Sequence, residues 1–331
     1  MNRELENRLT HFVKNTHSIK SSFPWQEMMI KRLAALIFTM EGRDMNAPAV
    51  VKTHKLLKDE TGIFSTFRGN LSVLIAAMAS TADNPRARIM DTLHVYDLLK
   101  AEKFRFSDYL VAAAYEIASQ AKEADYATIV HNTREIFLAM RANNRFLIDA
   151  DDYIYAAMLA LAGFDSATAS DRVKHMYADL RADFPFTVSR SCLLHLAQIM
   201  VLSDRTNHCV PNLVHMNRVL RSHKVKLDRA MVLPSLGILS MLPVDPDSLA
   251  NEIISVVNFL RTQKGFGAFS VMQAEANMMA TALISTTHLA QSTTTTAITN
   301  MLIAQQTAMM TAIIVANSVA VSSAASASGG C

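Results

Sequence analysis

Apolar positions along the chain fall into two alternating kinds of segment. In LVAAAYEIA (110–118), YIYAAMLALA (153–162) and LLHLAQIMVL (193–202) nearly every position is apolar. In TLHVYDLLK (92–100), TIVHNTREIFLAMR (128–141) and VKHMYADLR (173–181) the apolar residues recur at three- and four-residue spacing with polar residues between them. The first kind predicts helices buried on all sides, the second helices with one buried stripe.

The alternation has a period. An apolar residue followed by Lys or Arg recurs at Leu57-Lys58, Leu99-Lys100, Met140-Arg141, Leu180-Arg181, Leu220-Arg221 and Leu260-Arg261, at separations of 42, 41, 40, 40 and 40. Each pair closes a striped pattern, and a cation in a last helical turn is favoured by the helix dipole. About eight residues further on a new start follows. Ser107, Asp151, Ser189 and Asp228 stand where an N-cap would accept hydrogen bonds from first-turn amides. Phe106 with Val111, Val188 with Leu193, and Leu227 with Val232 are spaced as hydrophobic staples across three of those caps.

One period is therefore an αα-hairpin, an apolar Ala-rich helix followed by a more polar one. Earlier members start near Phe23-Pro24-Trp25 and Phe64, and a last one near Phe269-Ser270, so about seven hairpins of roughly 40 residues follow an N-terminal helix. Such a hairpin cannot bury its apolar helix alone. The expected fold is all-α, the hairpins stacking as an α-solenoid or, alternatively, closing into an α/α toroid. No long polar linker interrupts the repeat, which predicts one domain over 1–320 and a flexible tail over its last residues 321–331, which include SSAASASGGC.

Composition agrees. Half of the 331 residues are hydrophobic and 18% charged, with 9 Gly, 8 Pro and 20 Met, a balance that favours helix over turn-rich β structure. The net charge of +3 contains no concentrated basic block, which argues against nucleic acid as partner. MNRELENRLTHFVKN lacks the apolar run of a signal peptide, and three cysteines are too few for a disulfide framework, so the expected location is the cytoplasm.

No charged side chain occurs from Ala276 to Cys331. A helix over 297–320 would complete the last hairpin. Its Thr299, Asn300, Gln305, Gln306, Thr311 and Asn317, without flanking Lys or Arg, disfavour a membrane span. A charge-free end is unusual for a terminal repeat, which presents polar residues outward, and it predicts self-association through 286–320 or a partner helix.

Candidate chemistry is sparse. His94, His175 and His215 each stand five residues before the repeat's Leu, as a periodic boundary position would. Cys192, His195, His208 and Cys209 are zinc-ligand types, but ten residues of helix at 1.5 Å rise would separate the two pairs by ~15 Å, and the carboxylates of Asp149, Asp151 and Asp152 lack a calcium-loop spacing, so no metal and no cofactor are expected in the chain. The loops between hairpins carry basic and aromatic residues, and two spots there are candidate binding sites. One is Arg68 with Asn70 at the mouth of an apolar helix. The other is Arg145 with Asp149 and Asp152 beside Asp151. Glu116, on an apolar helix, and Asp152 are candidate acid–base residues. No phosphate-binding glycine loop, HExxH, nucleophile elbow or dinucleotide fingerprint is present.

Together KRLAALIFTMEGR, TGIFSTFRGN, DDYIYAAMLALAG and QKGFGAFSV, with the Ala/Ser-rich end, resemble an uncharacterised bacterial helical family known only as a domain of unknown function. The resemblance covers nearly the whole chain and implies a bacterial cytosolic protein, without an activity or catalytic residue to transfer. The residues favour a non-catalytic helical-repeat scaffold for a protein or peptide. The alternatives are an enzyme with a central pocket in a toroid, using Glu116, Asp152 or the histidines, and a protein anchored to a membrane by its C-terminal helix.

Overall fold

The computed structural model describes residues 3–69, 71–184, 188–203, 209–228 and 232–290. Among them are fourteen α-helices and no strand: α1 (Arg3–Ile19), α2 (Met28–Met40), α3 (Ala47–Asp59), α4 (Ser72–Thr81), α5 (Pro85–Ala101), α6 (Asp108–Gln120), α7 (Tyr126–Asn143), α8 (Tyr153–Leu161), α9 (Ser166–Asp183), α10 (Arg190–Ser203), α11 (Cys209–Ser222), α12 (Leu233–Ser240), α13 (Pro246–Thr262) and α14 (Gln273–Ala290). The six apolar-basic pairs lie in the last turns of α3, α5, α7, α9, α11 and α13. The expected tail helix over 297–320, the last residues 321–331 and Cys331 lie outside the described residues.

The even-numbered helices form the interior. Every residue from Leu110 to Ala118 in α6, from Tyr153 to Ala160 in α8 and from Leu233 to Ser240 in α12 is buried. The odd-numbered helices bury one stripe, such as Ile89, Thr92, Val95, Tyr96 and Leu99 of α5. Several of these striped helices begin with a built cap. Asn46, Asn84, Asp165 and Asp245 accept from Ala49, Ala87, Thr168 and Ser248 at 2.8–3.1 Å, each cap contributing about 1 kcal/mol. Proline in the first turn of α3, α5 and α13 costs nothing there, because its missing N–H would have been unpaired.

Among the expected caps, Ser107 accepts from Leu110 N and Ser189 from Cys192 N. The N-cap of α8 is Asp152 rather than Asp151, and that of α12 is Val232 rather than Asp228. Before α8 the chain makes a short 3-10 turn over Ala150–Asp152, in which Asp149 N–H donates to Asp152 Oδ2 at 2.9 Å and Asp151 is left to face another helix. Asp228 instead pairs with Arg221, and α12 starts only at Leu233, with Pro234 in its first turn, where the ring is tolerated. Phe106 is also no buried staple. It is 70% exposed, with Lys100 Nζ 5.3 Å from its ring centre.

The interior helices are neighbours in sequence order: α2 packs on α4, α6 on α8, α8 on α10, α10 on α12 and α12 on α14, while α5 touches both α4 and α6. Gly237 eases the α10–α12 approach, since a Cβ there would stand 2.7 Å from Leu196 Cδ1 and that side chain would have to shift. Helix α14 also lies against α1 and α2. That contact is strongly specified. Arg32 Nη1 donates to Glu275 Oε1 at 2.7 Å with both side chains buried, and its Nη2 donates to the carbonyls of Gly265 and Ser270. Phe12 of α1 meets Phe266 edge-on, with centroids 5.6 Å apart.

Candidate functional site

The N-terminal ends of α6, α8 and α10 bring titratable side chains together. Asp151 and Asp152 leave the turn before α8, and His195 lies one and a half turns into α10. His195 Nε2 is 3.3 Å from Asp151 Oδ2 and 3.6 Å from Asp152 Oδ1. The three ligand-type atoms lie within 4.8 Å of one another. Gln198, one turn further along α10, donates from Nε2 to Asp152 Oδ1 at 2.7 Å, and Asp152 Oδ2 takes the Asp149 amide. Both oxygens of the fully buried Asp152 are thus oriented. Tyr155 stacks on the His195 ring, with centroids 4.9 Å and planes 26° apart, which fixes the imidazole plane.

Burial and charge act against each other here. Burial pushes the Asp152 carboxyl up to about 6, with Asp151 adding to the rise and His195 opposing it. Burial would also raise Asp151, but the close contact and charge of His195 hold it below the ordinary carboxylate value. For His195 burial acts downward, and the two carboxylates prevail, keeping it above the usual imidazole value. Tyr109, at the start of α6, is raised by burial and by the nearby Asp151, Asp108 and Asp152. His195 Nε2 is buried, yet it makes no well-aligned hydrogen bond despite its two close carboxylates. The arrangement suits proton sharing or a cation held by one imidazole and two carboxylates.

The residues expected from sequence separate into distinct places. Asp152 is central to the cluster. Asp149 contributes its amide to the cluster, its side chain being exposed, and Arg145 is exposed on the same loop. Arg68 is structural: Nη2 donates to the carbonyls of Lys58 and Thr61, tying down the end of α3. Asn70 lies outside the described residues, as does His208. Glu116 is fully buried in α6, where burial raises it to about 7 and Gln120 donates to Oε2 at 2.7 Å. His94, His175 and His215 are exposed on the odd-numbered helices. His195 joins the aspartates rather than the cysteines, and Cys192 is a free thiol.

A readable signal for that meeting existed in the period. Asp151 stands eleven residues after Met140 and His195 fifteen after Leu180, so His195 sits one helical turn deeper in the next hairpin.

A second feature lies on the outer surface. A groove of about 830 Å³ runs between the 60–67 loop and α5. Phe64 is wholly exposed beside it, as are most of Ile63 and Phe106. In the described part of the segment expected to self-associate, Thr286, Thr287 and Leu289 are buried in α14, and His288 pairs with Glu252 at 2.8 Å. Among the described residues no helix is long and apolar enough to cross a membrane.

Residues 15–318 match the model of a family described as a protein of unknown function, DUF4003. No curated protein and no solved structure matches the chain.

Proposed function

The chain belongs to the DUF4003 family, and we propose that it is an enzyme whose αα-hairpins close as one domain into an α/α toroid, with its active site at the starts of α6, α8 and α10. The observation that carries the active site is His195 held between Asp151 and Asp152 at convergent helix N-termini. Closure is supported by the packing of α14 on α1 and α2, since an open solenoid keeps its first and last repeats apart. His195 and the partly exposed Asp151 meet the substrate. Asp152, with no exposed surface, positions His195 and is itself positioned by Gln198.

The helix N-termini place partial positive charge around the cluster, which favours a polar or anionic substrate over an apolar one. A thermal-shift screen of small polar metabolites on the chelator-treated full chain tests this. Compounds that raise the melting temperature of the wild type are expected to leave Asp151→Asn unmoved. Equal shifts in both proteins would place the binding elsewhere and remove this active site. Closure has its own measure: a closed domain of this length has a radius of gyration of ~20 Å in solution scattering. A clearly larger value would support the open solenoid.

The exposed groove beside Phe64 favours a second reading, a docking site for a protein or peptide. Apolar side chains this exposed and this close together mark interaction surfaces. Peptides selected by display on the wild type are expected to lose binding to an Ile63→Ser, Phe64→Ser double variant, whose stability should change by less than about 1 kcal/mol because both positions face solvent. Retained binding would sink this reading.

A further inference from the structure

We infer that Asp151, Asp152 and His195 bind one divalent transition-metal ion of the zinc type. The inference rests on the active site proposed above and gives that site its electrophile.

Three features carry it. The first is spacing. Around an ion with bonds of about 2.0–2.2 Å, tetrahedrally placed ligand atoms stand about 3.3–3.6 Å from each other. His195 Nε2 lies 3.3 Å from Asp151 Oδ2 and 3.6 Å from Asp152 Oδ1, with all three atoms inside 4.8 Å. The second is a poorly satisfied ring nitrogen, which would give up its proton to take an ion. His195 is 92% buried, its relative exposure being 8%, and its Nε2 is directed between two carboxylates without a well-formed hydrogen bond. A polar atom taken out of water in that way costs free energy unless something binds it.

The third is orientation from the surrounding groups. Gln198 and the Asp149 amide each hold one oxygen of Asp152, and Tyr155 packs flat on the imidazole, so ligands are aimed before any ion arrives. Asp151 keeps 29% of its side chain exposed, which leaves the ion a way in and a fourth position open to water. The imidazole in the set selects against calcium and magnesium, which take oxygen ligands.

The test is equilibrium dialysis of the chelator-treated full chain against zinc alone, with metal counted by mass spectrometry. Saturable uptake of about one ion per chain is expected, weakened at least about tenfold in Asp151→Asn and in His195→Gln, and about 10–100-fold in Gln198→Leu, which disturbs only an orienting group. Cobalt offers an independent reading in the unaltered protein, as an intense visible band of tetrahedral type. Asp151 is partly exposed, so its variant should keep the wild-type circular dichroism and remain interpretable even if a His195 variant misfolds. No saturable uptake, or uptake unchanged in Asp151→Asn and His195→Gln, overturns the metal site. Because the metabolite screen uses metal-free protein, a lost metal site with an Asp151-dependent thermal shift would remove the ion and keep the active site. Loss of both would remove the whole reading.

Discussion

Arg32→Ala is expected to destabilise the protein by about 3–5 kcal/mol, because it removes the main counter-charge of the buried Glu275. The pair is almost wholly shielded from water, with side-chain exposures of 3% and 5%. Burial raises the Glu275 carboxyl even though Arg32 stands against it, so desolvation already outweighs attraction on the carboxylate side. Removing Arg32 also strands the carbonyls of Gly265 and Ser270, which its Nη2 satisfies. Replacing both partners by apolar residues, Arg32→Met with Glu275→Leu, should recover much of the loss, since the buried charge disappears with its partner. Urea denaturation of the three variants measures this. A loss below about 1 kcal/mol in Arg32→Ala would mean that the contact of α14 with α2 does not depend on the pair.

The second large effect concerns pH. Glu116 is buried in α6, its Oε1 has no hydrogen-bond partner, and its folded value of about 7 stands above its ordinary 4.5. The folded protein therefore holds the proton more tightly than the unfolded chain. Below about pH 4.5 the group is protonated in both states and costs nothing. As pH rises toward 7 the unfolded chain ionises first, and stability falls by roughly 3 kcal/mol by pH 8. Glu116→Gln keeps an acceptor for Gln120 and cannot ionise. Relative to wild type it should gain roughly 3 kcal/mol at pH 8 and nothing near pH 4. Denaturation at several pH values checks the crossing. Parallel curves would show that the carboxyl titrates alike in both states.

The same residue shows how far the sequence could be read. Glu116 in AAAYEIAS stands out as a carboxylate on an otherwise apolar helix, and it is buried as that pattern implies. Arg68 also stood out, but its role is to close α3 by hydrogen bonds to two carbonyls. His195 was visible as a ligand type beside Cys192, yet its partners proved to be the aspartates of the preceding hairpin.

What the sequence determined by itself is the helical class, the alternation of buried and striped helices, the six last-turn cations and caps such as Ser107 and Ser189. These are interactions between residues three or four apart, so the order of side chains within one turn encodes them. The tertiary structure alone decided that Asp151 and Asp152 meet His195, 43 residues beyond the second of them, and that Arg32 meets Glu275 across 243 positions. Such meetings depend on how closely and at what angle helices pack, as at Gly237, where the lack of a Cβ eases the approach of α12 to α10. Packing angle and distance are set jointly by all the side chains in the contact, and no local pattern along one helix carries them.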